Sequence, residues 1–462
     1  MKFINRTKEL KKLNEHWEMD SAQLMLIYGK RRVGKTELIK QFIKDGKGIY
    51  FLADKRTHQE QLLEFARVVG SFFKDEFVSK KGFSDWLEAF SYLKNKAKKQ
   101  KFVVAIDEYP YLVETESATS SIFQKIWDEY IKPTNMYLIL CGSSISMMES
   151  ELLTYKAPLY GRLTGQLLIE SMDYIASQKF FPDKNFEEFI KFYSITGGMP
   201  AYMEQFSNYE TVTKAVEDLC WNKQGLYHNE VSNTLKQELR TPNNYFAILK
   251  AIAWGKTQTG EIASITGLES QLVNKYMNTL INLQFVRREV PITEDKPHKS
   301  HKGIYVLTEN FVRFWFQYVY AFSSDLEISN LHQVKSRFFQ YANILEAIVF
   351  EQVSRDFLRY NQKLFFPFER FGRYWNADTE IDGVGFNHKM KKAVFLEAKW
   401  SRSKMTDTEL TKLYAKAESI KKFNGYEKYF VLSNKAGFHK KLIERSKKNK
   451  NILLLSQMQV VS

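Results

Sequence analysis

The stretch that decides the fold is Gly29-Lys30-Arg31-Arg32-Val33-Gly34-Lys35-Thr36, which fits the pattern G-x-x-x-x-G-K-[ST]. The apolar run at 24–28 before it predicts a buried strand, and residues 37–43 after it predict a helix. A glycine-rich loop between a strand and a helix can turn its backbone N–H groups toward phosphate oxygens. The helix N-terminus adds partial positive charge at the same place. The stretch therefore predicts a phosphate-binding loop in an α/β fold.

Two side chains at the end of this loop carry chemistry. Lys35 is expected to reach the β- and γ-phosphates of ATP, and the Thr36 hydroxyl is placed for Mg²⁺. ATP and Mg²⁺ are therefore the expected cofactors, and residues 29–36 are the expected ATP-binding loop.

The composition limits the class of protein. A chain of 462 residues predicts two to four domains of roughly 150 residues each. Its net charge of +15 suits a polyanionic partner such as DNA. The only cysteines, Cys141 and Cys220, are too few and too far apart for a disulfide framework or a cysteine metal cluster. The chain begins without a signal-peptide core and contains no apolar stretch of membrane-spanning length, so a cytoplasmic protein with no membrane partner is expected.

Polar residues follow the predicted strands of the N-terminal part. Strands are predicted at 49–52, 101–106, 135–141 and 167–169, with helices between them, which indicates a parallel sheet covered on both faces. Ligands of such sheets bind at the carboxyl ends of the strands. Asp107 and Glu108 follow one strand, and Ser143 and Ser144 follow the next. Asp107 is expected to hold Mg²⁺ through water, Glu108 to act as general base toward the attacking water, and Ser143 or Ser144 to sense the γ-phosphate. Arg162 fits an arginine finger and a structural arginine equally well.

Several short motifs together resemble a prokaryotic AAA+ family of archaeal and bacterial ATPases, related to STAND NTPases and origin-recognition ATPases. The motifs are Phe3-Ile4-Asn5-Arg6, the phosphate loop, Ile106-Asp107-Glu108-Tyr109-Pro110, Cys141-Gly142-Ser143-Ser144, Leu159-Tyr160-Gly161-Arg162 and Gly197-Gly198-Met199-Pro200. The resemblance implies an ATPase domain followed by a helical lid at 171–240. Asn5 stands where the family more often has glycine before Arg6.

The middle of the chain predicts a winged helix at 241–320. Helices are predicted at 245–254, 258–267 and 269–283, followed by a two-stranded wing at 285–290 and 303–307. The wing loop carries basic residues, and the third helix has a polar face; both could contact DNA phosphates and base edges. They are Lys296, His298, Lys299, His301 and Lys302 in the wing, and Gln271, Asn274, Lys275 and Asn278 on the helix. A protein-contact role stays open. The aromatic residues of the apolar segment 311–316 are expected in the core.

The C-terminal part predicts a polar link at 325–335, a helix at 343–358, and strands at 363–368, 379–384, 393–400 and 426–432. Glu397 and Lys399 share one face of a strand because side chains alternate with period two. Asp382 on the neighbouring strand can approach them. Two carboxylates and a lysine suit a site that binds Mg²⁺ and activates water.

These residues resemble the PD-(D/E)xK nuclease superfamily and the restriction-like domain of unknown function found after the same ATPases. The resemblance implies Asp382 and Glu397 as metal ligands, Lys399 as a catalytic residue, and Glu346 as the helix carboxylate that completes the site. Ile381 replaces the proline of the named motif. An inactive nuclease fold and a chance carboxylate cluster are the alternatives.

The sequence thus predicts an α/β protein of four parts: an ATPase domain at 1–170, a lid at 171–240, a winged helix at 241–320 and a nuclease-like domain at 321–462. The expected function is ATP hydrolysis coupled to DNA binding and Mg²⁺-dependent DNA cleavage. The alternative is a STAND-like ATP-dependent regulator whose C-terminal domain only binds DNA or protein. The expected partners are ATP and DNA, and homo-oligomerisation is left open.

Overall fold

The computed structural model describes residues 3–239 and 241–461. These residues fold into two compact units. The first contains residues 3–176 and Met199–Tyr202, and the second contains Ser177–Gly198 and residues 203–461. The division near 176 lies close to the predicted end of the ATPase domain, and the finer boundaries at 240 and 320 stay predictions.

A five-stranded parallel sheet forms the centre of the first unit, in the order β2-β3-β4-β1-β5. Its strands are β1 Gln23–Tyr28, β2 Gly48–Leu52, β3 Val103–Asp107, β4 Tyr137–Gly142 and β5 Gly165–Leu168. Every residue of β1, β3 and β4 is buried, because helices cover both faces of a parallel sheet of this kind. The predicted strands are confirmed, with boundaries that differ by at most two residues.

The helices of the first unit follow the predicted alternation. They are α1 Thr7–Trp17, α2 Lys35–Ile43, α3 His58–Phe73, α4 Glu76–Lys81, α5 Trp86–Ala97, α6 Pro110–Thr115, α7 Thr119–Ile126 and α8 Ile145–Met148, with α9 Tyr174–Gln178 at the division between the units. Short π-helical segments continue α7 and α8, at Trp127–Ile131 and Glu149–Leu153. The order β1, loop, α2 places the glycine-rich loop at the carboxyl edge of the sheet, where Asp107 also ends β3.

The second unit begins with helices. They are α10 Phe186–Thr196, α11 Pro200–Phe206 (whose first residues belong to the first unit), α12 Val212–Val216 with a π-helical extension at Glu217–Trp221, and α13 Glu230–Glu238. Three helices and a hairpin follow at the positions predicted for the winged helix: α14 Asn243–Ala253, α15 Thr259–Thr266, α16 Ser270–Asn282, β6 Val286–Glu289 and β7 Ile304–Leu307. The strands β6 and β7 pair antiparallel. The polar residues predicted on the outer face of α16 are exposed.

Aromatic residues of the next helix, α17 Asn310–Tyr318, are buried as predicted. Phe311, Phe314 and Phe316 are at most 1% exposed, which supports the interpretation of this segment as core. Two further helices, α18 Ser323–Glu327 and α19 His332–Tyr360, occupy most of the region predicted as a polar link. That prediction is wrong because Val334 and Phe338 anchor an earlier start of the long helix, being 0% and 4% exposed.

A six-stranded mixed sheet closes the chain, in the order β13-β12-β11-β10-β9-β8. Its elements are β8 Arg370–Trp375, β9 Glu380–Asn387, β10 Lys392–Lys399, α20 Asp407–Glu418, β11 Glu427–Asn434, α21 Lys440–Lys448, β12 Ile452–Ser456 and β13 Gln459–Val460. The strands β8, β9 and β10 form an antiparallel meander, whereas β10, β11 and β12 run parallel.

The strand predicted at 363–368 is wrong. A 3₁₀ turn at Gln362–Leu364 occupies its start, and Pro367 cannot donate a hydrogen bond to a sheet. Phe366 nevertheless packs in the core, so the apolar character of this run serves packing rather than strand pairing. Among the described residues, no helix is both long enough and apolar enough to cross a bilayer.

Candidate functional site

The phosphate-binding loop has the backbone geometry that its glycines allow. Gly29 and Gly34 have φ angles of 146° and 93°, which residues with a side chain rarely adopt. A Cβ atom on Gly29 would also collide with the carbonyl oxygen of Ile169. Gly34 precedes the first residue of α2, so the loop delivers its N–H groups and the helix N-terminus to one place.

Lys35 is held inside this loop. Its Nζ donates hydrogen bonds to the carbonyl oxygens of Gly29 at 2.8 Å and Lys30 at 2.9 Å. The residue is 5% exposed. Burial lowers the pKa of the Lys35 ammonium, and the charges of Glu108 and Asp107 oppose that effect. A buried cation held only by neutral carbonyls is ready to bind phosphate oxygens.

Two hydroxyl groups meet at the carboxylate of Asp107. The Thr36 hydroxyl donates to its Oδ2 at 2.6 Å, and the Tyr50 hydroxyl donates to the same oxygen at 2.8 Å. Asp107 is fully buried. A threonine hydroxyl and a carboxylate are hard oxygen donors of the kind that Mg²⁺ prefers, so these residues fit the expected metal. The structure therefore brings the predicted magnesium residues Thr36 and Asp107 together.

The predicted general base Glu108 is also anchored. Its Oε2 accepts a hydrogen bond from the Ser143 hydroxyl at 2.8 Å and from the Ser143 backbone N–H at 3.3 Å. Glu108 has a φ angle of 53°, a strained conformation that is common at functional sites. Ser144 instead precedes helix α8, which favours Ser143 over Ser144 as the sensor.

Tyr50 was not predicted from sequence. It lies in the middle of β2, and in an unbroken apolar run its hydroxyl gives no signal. Burial and the charge of Asp107, with the hydrogen bond between them, raise the pKa of Tyr50 well above its ordinary range. The phenol therefore remains a hydrogen-bond donor that fixes the orientation of the Asp107 carboxylate.

We expect Tyr50→Phe to weaken Mg²⁺ use without weakening nucleotide binding. Loss of one hydrogen bond to a carboxylate costs about 1–2 kcal/mol, so the Mg²⁺ concentration for half-maximal ATP hydrolysis should rise roughly 5- to 30-fold. Magnesium titrations of steady-state ATPase activity measure this. Tyr130→Phe, in the π-helical segment after α7, is the matched control. An unchanged magnesium curve for Tyr50→Phe would assign Tyr50 to stability alone.

The N-terminal motif packs under the loop. Asn5 and Arg6 have φ angles of 63° and 61°, and asparagine tolerates this conformation better than most residues. This explains how Asn5 stands where the resembling family more often has glycine. The Arg6 guanidinium donates to the carbonyl oxygens of Val33 at 2.8 Å and Glu170 at 2.7 Å. These hydrogen bonds connect the phosphate-binding loop, through Val33, to the segment that follows β5.

Arg162 is engaged within its own chain. Its guanidinium donates to both carboxylate oxygens of Asp128, with Nη2 and Oδ2 2.8 Å apart, and to the carbonyl oxygen of Pro158 at 3.0 Å. This geometry favours the structural alternative that the sequence left open, and an arginine-finger role stays a prediction.

A second group of candidate residues lies on the six-stranded sheet. Gly383 pairs with Leu396 at the end of the β9–β10 ladder, and Asp382 is the residue directly before Gly383. Its Oδ2 accepts the Ala398 backbone N–H at 2.7 Å. Burial, together with the charges of Glu351 and Glu397, raises the pKa of Asp382 to about 7. The structure thus brings Asp382 and Glu397 into one electrostatic cluster.

The helix carboxylate of this cluster is Glu351 rather than Glu346. The two lie five positions apart on α19, so their side chains leave the helix in different directions. Glu346 Oε2 accepts the Trp400 indole N–H at 2.5 Å. Burial raises the pKa of Glu351, and Arg355 opposes this. The sequence predicted Glu346 for this role, and Glu351 was missed because only packing reveals its place beside Asp382.

One lysine neutralises part of the cluster. Lys416 Nζ lies 2.8 Å from Glu397 Oε2. The predicted catalytic residue Lys399 pairs outside the cluster instead, with its Nζ 3.9 Å from Glu409 Oε1. Within residues 3–239 and 241–461, no three acidic, histidine or cysteine side chains are arranged as a ready metal site. Asp382, Glu397 and Glu351 have the oxygen chemistry for Mg²⁺, and binding would require Lys416 to leave Glu397.

The basic wing is partly anchored. Lys302 Nζ pairs with Glu294 at 2.9 Å, and the Ile292 N–H donates to the Arg373 carbonyl oxygen of β8 at 2.9 Å. Lys296 and Lys299 are exposed. The wing therefore presents fixed positive charge at its tip.

Family models match two parts of the chain. Residues 3–206 match an ATPase domain predominantly from Archaea. Residues 315–412 match archaeal and bacterial proteins of unknown function. The first match supports ATP binding and hydrolysis, and the second assigns no activity.

The chain is also similar to relatives and to solved structures, over most of its length or over short parts of it. Over 443 residues the chain is 34% identical to the uncharacterized protein MJECL04 of Methanocaldococcus jannaschii, covering 94% of this chain and 95% of that protein. It is 49% identical over 45 residues to the uncharacterized ATP-binding protein MJ0423 of the same organism, covering 10% of this chain and 76% of that protein. The structure of the Walker-type ATPase PABY2304 of Pyrococcus abyssi superposes with a TM-score of 0.53 at 20% identity, covering 68% of this chain and 96% of that chain. The chain therefore belongs to the family of the M. jannaschii protein MJECL04, and its residues 3–206 match an ATPase domain.

Proposed function

We propose that this protein uses Mg²⁺-dependent ATP hydrolysis in its first unit to control DNA binding and DNA cleavage by its second unit. The observation that carries the ATPase half is the convergence of Lys35, Thr36, Asp107 and Glu108 at one edge of the parallel sheet. The cleavage half is supported by the shared cluster of Asp382, Glu351 and Glu397.

In the ATPase half, each side chain has one task. Lys35 would exchange two carbonyl partners for phosphate oxygens, and Thr36 and Asp107 would hold Mg²⁺. Magnesium supplies charge neutralisation on the phosphates when bound. Glu108, oriented by Ser143, would accept a proton from the attacking water. Phosphate release in variants of these residues tests this half.

In the second unit, DNA binding is supported by charge and by the elements at 243–307. The exposed polar residues of α16 and the wing tip both suit contacts to a nucleic-acid backbone. The order of three helices and an antiparallel hairpin in this region supports the proposal.

We expect the wing to make DNA binding sensitive to salt. Each lysine that neutralises a phosphate of a duplex adds about 0.9 to the steepness of log affinity against log salt concentration. Replacing Lys296, Lys299 and Lys302 together by alanine should reduce that slope by about 2, since Lys302 is already paired with Glu294. Fluorescence anisotropy of a labelled duplex across a salt series measures it.

The control for this experiment removes the same charge elsewhere. Lys440, Lys441 and Lys447 are exposed residues of α21, and their triple alanine variant should keep the wild-type slope. Equal slopes for the wing variant and wild type would favour the protein-contact role of these helices.

A second candidate is a STAND-like regulator whose C-terminal domain binds without cutting. The ion pair between Lys416 and Glu397 at 2.8 Å favours it, because a carboxylate held by an internal cation is less available to a metal. DNA cleavage by wild type and by Asp382→Asn, with Mg²⁺ or Mn²⁺ and ATP, decides between the two.

A further inference from the structure

A cavity of about 750 Å³ opens in the second unit. One side is formed by the helix–hairpin region, including Trp254, Arg287 and Tyr305. Another is formed by α19 and β8, including Glu351 and Trp375. Its size lies within the range of ligand sites, so the next question is what its charges select.

Four arginines and four carboxylates line this cavity. They are Arg287, Arg313, Arg355 and Arg373, with Glu289, Glu351, Asp378 and Glu380. Three of the arginines are paired. Arg287 lies 2.7 Å from Glu289, Arg373 lies 3.2 Å from Glu289 and 2.5 Å from Glu380, and Arg355 lies 3.8 Å from Glu351.

Arg313 is the exception. Within the described residues its guanidinium has no hydrogen bond and no ion pair. Asp378, the remaining carboxylate, is exposed in the turn between β8 and β9 and forms no ion pair among those residues. Burial, with the like charges of Arg287 and Arg373, lowers the pKa of Arg313 to about 10, and the charge of Glu289 opposes this effect. The guanidinium thus stays charged at neutral pH, and Glu289, which already pairs with Arg287 and Arg373, is its nearby negative charge without a direct ion pair.

Two tryptophans line the same cavity as Arg313. Trp254, which is 41% exposed, and Trp375, which is half-buried, both line the cavity. A guanidinium that can bind a phosphate in a bidentate manner and indole faces that can stack on a base are complementary to the two halves of a nucleotide.

We propose that this cavity binds a nucleotide of a single nucleic-acid strand, with Arg313 on a phosphate and an indole of Trp254 or Trp375 on a base. The inference rests on the proposed DNA binding and not on cleavage. A strand is favoured over a free nucleotide because the cavity is open at the exposed Trp254 and borders Glu351, whose charge acts on Asp382. A strand bound there would pass the carboxylate cluster.

Two variants test this in EDTA, where no cleavage occurs, by anisotropy of a 5′-labelled oligothymidylate with the full chain. Arg313→Gln should weaken binding about tenfold, as expected for a lost charge-assisted hydrogen bond. Trp375→Leu should weaken it roughly 5-fold or more. Arg359→Gln removes the same charge from an exposed position of α19 and should bind like wild type.

A measurement on wild type avoids dependence on variant folding. An oligonucleotide that carries 5-iododeoxyuridine, irradiated in complex, should cross-link to peptides containing Trp254 or Trp375. Cross-links confined to 290–303, or equal affinities for Arg313→Gln and Arg359→Gln, overturn the inference and leave DNA binding through the wing intact. Displacement of the strand by equimolar dTMP overturns it in favour of a free-nucleotide site. If wild type binds no strand or duplex, the proposed DNA binding and this inference both fail.

Discussion

Replacing Lys35 by alanine should lower ATP affinity by about 100-fold or more. Lys35 is expected to bind oxygens of two phosphates, and each charge-assisted hydrogen bond contributes about 1.5–3 kcal/mol. The Lys35 ammonium is already held inside the loop, between the carbonyl oxygens of Gly29 and Lys30. Titration with a fluorescent ATP analogue measures the affinity.

Glu108→Gln should keep ATP affinity and lose hydrolysis. Glutamine keeps the size of the side chain and can still bond to Ser143, so nucleotide binding should persist. It cannot accept the proton of the attacking water, and hydrolysis should fall roughly 10²- to 10⁴-fold. Single-turnover phosphate release measures the chemical step apart from product release.

Lys44→Ala is the control for both variants. Lys44 is an exposed lysine directly after α2, outside the phosphate-binding loop. Wild-type hydrolysis in Lys35→Ala and Glu108→Gln would refute the assignment of this edge of the sheet as the ATP site.

The N-terminal sheet was predictable because each signal there is local. The strand before Gly29, the glycines and the helix after them lie within twenty residues, and their order fixes a parallel sheet. Asp107 and Ser143 follow from the rule that ligands bind at strand ends. Tyr50 could not be found this way, since its contact with Asp107 joins residues 57 positions apart.

The C-terminal sheet was harder to predict because its signals are ambiguous. The run at 363–368 is apolar for packing, not for strand pairing, and β8 carries Arg370 and Arg373, which weakens its apolar pattern. Glu346 was predicted as the helix carboxylate and Glu351 was missed, because the direction in which each side chain leaves α19 decides which of them reaches the cluster. Helical periodicity alone places both on a partly buried helix, and only the position of Asp382 distinguishes them.

Changing Asp382 to asparagine should abolish Mg²⁺-dependent DNA cleavage. Asp382 and Glu397 together would hold the metal, which when bound lowers the pKa of its water and takes up charge on the scissile phosphate. Lys399, two residues beyond Glu397, would orient water or stabilise charge. Losing one of two ligand carboxylates should reduce cleavage at least about 100-fold. ATP binding, which depends on the first unit, should be unchanged.

The stability of the variant separates lost chemistry from lost folding. Asp382 has a pKa of about 7 in the folded chain against 3.8 for the free group. Its contribution to stability is therefore full below pH 3.8 and is lost as the pH rises through about 7. Above pH 7 the ionised carboxylate is repelled by Glu351 and Glu397. In metal-free buffer at pH 8, Asp382→Asn should therefore unfold at a temperature equal to or above that of wild type, measured by circular dichroism.

If the cluster binds metal, magnesium or manganese should raise the unfolding temperature of wild type above that of Asp382→Asn. A divalent cation that binds the folded state stabilises it by mass action, so wild type should gain thermal stability at pH 8 and Asp382→Asn should gain little. Glu369→Gln, an exposed carboxylate variant at the other end of the β8–β9 pair, should respond like wild type.

Metal stabilisation with no cleavage would favour the regulator, whose C-terminal domain would then bind metal without cutting DNA. Equal cleavage by wild type and Asp382→Asn would trace the activity to a contaminant and remove the nuclease from the proposal. The proposed nuclease predicts cleavage that requires Asp382, survives in Glu369→Gln and accompanies the metal-induced stabilisation.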